Sequence, residues 1–280
     1  MVGGMSVFRY ALISKSIRGA SHVRSGKPNQ DSYKIAQESG ALILAAADGH
    51  GSDTCPHSKS GSVIAVNVFC KTMSDYCRQY ASDFDALRVL FSREGDTAIA
   101  RSIDAEWKRR VTKAHSYKLK QIITPTAWGE DKESVWKLYG TTLLGVVITP
   151  PFVFAYQLGD GDIAYADEKE VKHIITGDKL LGTETYSLSK PDSWQKAITS
   201  VVSLPNSEIR HAFMLSTDGF SNSYRDEKVF LQTVADYYKA IVDHGVDAVN
   251  SNIKSWLNET SKGGSGDDIT VLIAFNVGME

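Results

Sequence analysis

The chain has 280 residues, enough to bury a substantial core as one large domain or two small ones. Its 42% hydrophobic and 23% charged residues are ordinary for a soluble globular protein, and a formal net charge of -2 offers no broad attraction to nucleic acid or to an anionic membrane. No run approaches the roughly 20 apolar residues needed to cross a bilayer, and the opening residues lack the apolar stretch and small-residue cleavage site of a secretory signal.

In chain order, the first strong pattern is the apolar run 41–47, which predicts a buried strand. A helix follows over 58–80, with Val63, Val66, Cys70, Met73, Cys77 and Tyr80 at helical spacing on its apolar stripe. A second helix is predicted over 97–115, and 118–137 carries no clear period. Strands 142–148 and 152–158 are joined across Pro150-Pro151, and 163–166 and 171–175 across an acidic four-residue link; both read as antiparallel hairpins. The stretch 176–206 again has no period and reads as a flap. Strand 211–216, helices 228–242 and 246–257, and strand 269–275 complete the pattern. Hairpins mixed with helices argue for an α+β fold, read as a single domain over 1–280. Cys55, Cys70 and Cys77 are an odd set without a CxxC pair; buried free thiols are expected for Cys70 and Cys77 on the helix stripe, and a reducing, cytoplasmic setting fits.

The chemistry is carried by apolar runs that meet an acid. The run 41–47 stops at Asp48-Gly49-His50-Gly51, 152–158 at Gly159-Asp160, and 211–216 just before Asp218-Gly219, while 269–275 starts directly after Asp267-Asp268. Asp-Gly is a common turn dipeptide, so each pair alone reads as a strand closure. Several carboxylates on one rim would instead form a negative cluster that cations stabilise. On position alone the two readings stand level. With oxygen ligands dominant and no HExxH or paired-cysteine spacing, the metal reading favours Mg²⁺ or Mn²⁺, ions that act in pairs on phosphate esters.

Six segments carry a further signal: Asn29-Gln30-Asp31, Ala47-Asp48-Gly49-His50-Gly51, Tyr139-Gly140-Thr141-Thr142, Leu158-Gly159-Asp160, Ser216-Thr217-Asp218-Gly219 and Gly266-Asp267-Asp268-Ile269-Thr270. In this order they resemble the metal-dependent protein serine/threonine phosphatases, the type 2C class, over about 22–275. The resemblance implies a four-layer α-β-β-α sandwich of two mainly antiparallel sheets. It implies that Asp48 bridges two Mn²⁺ or Mg²⁺ ions, with Asp31 and the Gly49 carbonyl on one side and Asp218 and Asp267 holding the other. Asp160 matches the position that, with Asp218, takes a third ion. The segment 176–206 falls where the family carries a variable flap. A stand-alone bacterial member is the expected form, a monomer acting on phosphorylated proteins, without nucleic acid or membrane partners.

The implied mechanism is attack by a metal-activated water in line with phosphorus, with His50, directly after Asp48, as general acid for the leaving alkoxide. The plainer role for His50 is to cap its turn or bond a bound water. One departure concerns substrate grip. Where relatives carry a phosphate-binding arginine, this chain has Gly26 and Lys27. Arg24 and Lys27 are the cations expected to reach the phosphate, with His22 a weaker stand-in and a solvated loop charge the plain reading of Arg24. Gln30 fills a slot that some relatives give to glutamate, and Asp268 one where many have asparagine. Asp268 could add charge to the site or bond a backbone amide. The scattered tryptophans read as packing, Lys108-Arg109-Arg110 as a solvated helix face, and His57 as a local hydrogen-bonding residue. Hydrolysis of phosphoserine and phosphothreonine on proteins is the expected function. Turnover of a small phosphorylated metabolite, or phospho-partner binding without turnover, are the alternatives.

Overall fold

The computed structural model describes residues 10–122, 131–175, 185–204 and 208–277. The chain runs β1 (Tyr10–Ile17), α1 (Ala20–Ser25), β2 (Ser32–Glu38), β3 (Ala41–Ala47), α2 (Ser58–Gln79) and α3 (Phe84–Glu94). A π turn (Gly95–Ile99) leads into α4 (Ala100–Ile122), then α5 (Lys132–Lys137), β4 (Leu143–Ile148), β5 (Phe152–Leu158), β6 (Asp162–Asp167) and β7 (Val171–His173). A 3-10 turn (Ser193–Lys196) precedes β8 (Ile198–Ser203), β9 (His211–Ser216), α6 (Asp218–Ser221), α7 (Glu227–His244), α8 (Val246–Gly263) and β10 (Ile269–Asn276).

Two five-stranded sheets result, ordered β1-β10-β9-β6-β7 and β2-β3-β4-β5-β8. Every pairing is antiparallel. Central strands are apolar throughout because both of their faces are covered. In β3, Leu42, Leu44 and Ala46 pack between the sheets, against Phe213, Leu215 and Leu272. The alternate residues Ile43, Ala45 and Ala47 meet Val66, Phe69 and Met73 of α2. On the other side, Met214, Val271 and Ile273 meet Phe230, Val234 and Ile241 of α7 and Ile253 and Leu257 of α8. The expected α-β-β-α layering is therefore present, and both predicted hairpins are antiparallel. No helix among the described residues is long and apolar enough to cross a membrane.

Several expectations change. The helix predicted from residue 97 continues upstream, since the chain passes Gly95-Asp96 in a π turn and does not break, and α3 lies before it. The segments without a period contain α5 and β8, while 123–130, 176–184 and 205–207 lie outside the described residues. The unpredicted strands β1, β2 and β8 all form sheet edges, where half-exposed polar residues dilute the apolar signal. On α2 the stripe holds at Val66, Cys70, Met73 and Cys77, but Val63 is exposed because the first turns bury Gly61, Ser62 and Ala65.

Candidate metal centre

Strand register brings the acids together. Ser32 pairs with Ala47, so Asp31 before β2 and Asp48 after β3 sit at the same end of one sheet. Ser216 pairs with Val271, which places Asp218 after β9 and Asp267 before β10 at one end of the other. The Thr217 hydroxyl joins the sheets there, donating to Asp31 Oδ2 at 2.7 Å and accepting from the Thr270 amide at 2.9 Å. Asp160, beyond β5, completes the group, and its Oδ2 accepts from Thr185 Oγ1 at 2.5 Å.

The loop after β3 is held by the Gly140-Thr141-Thr142 segment. Thr141 Oγ1 and the Thr142 amide donate to the Asp48 carbonyl at 2.7 and 2.9 Å, and the Asp48 amide donates to Thr142 Oγ1 at 3.0 Å. The His50 amide donates to the Gly140 carbonyl at 3.1 Å. Gly49 is bracketed by backbone, for a Cβ there would lie 2.8 Å from the carbonyl oxygens of both Gln30 and Ser58. These contacts explain why two distant motifs are needed to fix one carboxylate.

Packed together, the carboxyls resist ionisation. Burial, opposed by the Thr217 hydrogen bond and reinforced by Asp268, raises Asp31 to about 7. Burial and the charges of Asp160, Asp267 and Asp31 raise Asp218 to about 8. Asp48 is raised well above the carboxylate range by burial first, then by Asp218, Asp31 and Asp267. Asp31 Oδ1 is buried without a hydrogen-bond partner. Among the described residues no lysine or arginine ion pair neutralises any of the five. An all-oxygen donor set with excess negative charge and an orphaned buried oxygen fits a hard divalent cation.

Asp268 plays a different part from its neighbour. Its Oδ1 accepts from the Gly19 amide and its Oδ2 from the Gln30 amide, both at 2.6 Å, and its side chain is buried. Of the two expected roles, the backbone bond is thus present, and the carboxylate also adds charge beside Asp31. His22 lies against both acids, Nδ1 3.0 Å from Asp268 Oδ2 and Nε2 3.5 Å from Asp267 Oδ1.

The predicted cations separate. Arg24 is exposed on α1, whereas Lys27 Nζ donates to the Gly51 carbonyl at 2.6 Å and so sits beside the Asp48 loop. His22, ranked below both, is the one wedged among the acids. His50 is half-buried next to the Asp48 loop. Burial lowers its pKa, Asp160 acts in the opposite sense, and Lys190 lowers it further. Sequence reasoning missed Lys59, whose ammonium donates to the Asp31 carbonyl at 2.5 Å. It also passed over Thr217 as a ligand-orienting group, although its place inside the Ser-Thr-Asp-Gly segment was a usable signal. A cavity of about 760 Å³ opens beside Asp48 and His50, walled by the Gly51–Cys55 loop and by residues 185–196.

The profile of the protein phosphatase 2C family matches residues 18–258. Solved structures share the fold at low identity. A bacterial serine phosphatase has 12% identity and a TM-score of 0.60, covering 97% of this chain and 100% of its own. The S. agalactiae serine/threonine phosphatase has 17% identity and a TM-score of 0.58, with 95% and 99% covered. The catalytic domain of the serine/threonine protein phosphatase PstP, in complex with two manganese ions, has 17% identity and a TM-score of 0.53, with 95% of this chain and 96% of that domain's chain covered. Among curated proteins no significant sequence match is found.

Proposed function

This chain belongs to the protein phosphatase 2C family, as a protein serine/threonine phosphatase, and from that premise we propose how its residues carry the reaction. Asp48 would serve two divalent cations, Asp31 and the Gly49 carbonyl one of them, and Asp218 and Asp267 the other. Asp160 with Asp218 would hold a third. PstP, solved with two manganese ions, and RsbX, solved with magnesium, support Mn²⁺ or Mg²⁺ in this role. When bound, the cations supply an activated water and neutralise charge on the phosphoryl oxygens.

The chain's own groups do the rest. Thr141, Thr142 and Gly140 fix the Asp48 loop, and Thr217 orients Asp31, so the donors are set before any cation arrives. Lys27, tethered to Gly51, is the cation best placed to meet phosphoryl oxygens, with Arg24 further out on α1. As the ester P–O bond breaks, the departing serine or threonine alkoxide takes a proton, and His50 is the donor we assign. Burial works against its charged form, and it lines the adjoining cavity, where a leaving group can reach it.

The observation that carries this reading is the convergence of five strand-end carboxylates whose mutual repulsion bound cations would relieve. The test is phosphate release from a phosphothreonine peptide, with and without Mn²⁺, for wild type and Asp218→Ala. Turnover that needs Mn²⁺ and is lost in the variant is expected. Folded, Mn²⁺-loaded wild type without turnover would overturn the assignment.

A further inference from the structure

The cavity beside the metal centre has an uneven charge. Lys137, Lys190 and Lys196 line it together with His50, and outside the metal centre the described lining holds a single acid, Asp192. Among the described residues none of the three lysines forms an ion pair, although the chain as a whole carries a net charge of -2. Surface lysines commonly lie near carboxylates, as Lys71 does with Asp75 and Lys172 with Glu170 here. Three lysines without an ion pair among the described residues thus line one cavity of an otherwise slightly acidic molecule, a local positive bias.

The walls that carry these lysines are built, not loose. The Lys190 turn is anchored on its upstream side, where Ser187 Oγ accepts from the Thr141 amide at 3.1 Å and the Leu188 amide donates to the Thr141 carbonyl at 3.0 Å. Downstream, Ser193 Oγ donates to the buried carboxylate of Asp104 at 2.5 Å, and the Arg101 guanidinium lies 4.3 Å over the Trp194 ring. Lys196 extends over the Tyr186 ring at 5.4 Å. The Lys137 carbonyl accepts from Cys55 Sγ at 3.1 Å, fixing the end of α5 to the loop that follows Asp48. The backbone that carries the lysines is therefore fixed around a cavity that Asp48 and His50 also line.

Resting on the phosphatase reading, we infer that this cleft receives acidic residues flanking the phosphorylated serine or threonine, so that the enzyme selects phosphosites set among Asp and Glu. A phosphoresidue seated at the metal centre must send its neighbouring residues along a wall of the site, and this wall is cationic. Each exposed charge pair contributes only modestly, but two or three acting together separate an acidic from a basic flank by roughly tenfold. The preference is electrostatic and so weakens with salt.

The test compares two phosphothreonine peptides of equal length, one with Glu and Asp on both sides and one with Lys and Arg. The selectivity is the ratio of their kcat/KM values on the full Mn²⁺-loaded chain. Wild type should favour the acidic peptide roughly tenfold at low salt, mainly through KM, and the ratio should collapse toward one in 0.5 M salt. In Lys137→Glu/Lys190→Glu the ratio should invert, and in Lys137→Gln/Lys190→Gln it should approach one. Because the ratio normalises each protein to itself, a partly inactive variant still reports. Equal kcat/KM for the two peptides in wild type, or an acidic preference that survives both double substitutions, would overturn this inference alone. Loss of all wild-type turnover, an aryl phosphate included, would overturn the phosphatase reading and this inference with it.

Discussion

Asp267 and Asp268 are adjacent carboxylates with opposite consequences for stability, and Asp268→Asn separates them. The Asp268 oxygens accept from the amides of Gly19 and Gln30 at 2.6 Å each, in a residue that is 2% exposed. These bonds tie α1 and the Asp31 segment to the start of β10. Asparagine keeps the shape but has one acceptor oxygen, so its NH₂ must face one of the two buried amides. The loss is one hydrogen bond to a charged acceptor, with an N–H left unsatisfied, and costs about 2 to 4 kcal/mol. Asp267 is half-exposed, and its Oδ1 bond to the Asp268 amide can be kept by asparagine. Asp267→Asn should therefore change the metal-free protein by no more than about 0.5 kcal/mol. Urea unfolding in chelator, read as a change in midpoint at constant slope, measures both. Adding Mn²⁺ should then raise the melting temperature of Asp268→Asn but not of Asp267→Asn. An Asp268→Asn protein as stable as wild type, or an Asp267→Asn protein equally weakened, would refute the division of labour.

Three other outcomes follow from the same geometry. With folded-state values of about 7 for Asp31 and about 8 for Asp218, against about 4 in an unfolded chain, the metal-free fold binds more protons than the unfolded state between pH 4 and 8. Its stability should fall as pH rises through that window, by about 1.4 kcal/mol per pH unit for each carboxyl still holding its proton, and Mn²⁺ should raise the melting temperature more at pH 8 than at pH 5. Gly49→Ala should cost about 1 to 3 kcal/mol and weaken Mn²⁺ binding in calorimetry, because its Cβ meets two carbonyl oxygens at 2.8 Å and displaces Asp48. His50→Ala should slow phosphothreonine peptides by roughly 10²-fold or more while affecting p-nitrophenyl phosphate far less, since an acidic phenol leaves without a proton; equal losses on both would remove the acid role.

The central strands and their terminal acids were legible because each side chain there answers to a local rule. A run such as 41–47 is apolar because both sheet faces are covered, and the acid that ends it marks the rim. Edge strands obey the same pairing with half the burial, so β1, β2 and β8 left no comparable trace. The lysine-lined cleft was illegible for another reason. Lys137 and Lys190 share a cavity only because α5 and the 185–196 segment are each hydrogen-bonded to other parts of the chain.

The contrast between Asp267 and Asp268 lies between these cases and shows what decides a carboxylate's role. Successive side chains in extended backbone point to opposite faces. At the entry to β10, one parity aims Asp267 at the rim beside Asp48 and Asp218, and the next turns Asp268 inward onto two amides. Thr217 and Asp218 divide the same two duties where the chain leaves β9 and turns into α6: the hydroxyl faces Asp31 and the carboxylate joins the acidic cluster. Repulsion and support are thus alternated along the same strand ends. The groups turned inward supply the hydrogen bonds that hold like charges together until cations neutralise them, and an acid moved by one position would exchange one duty for the other.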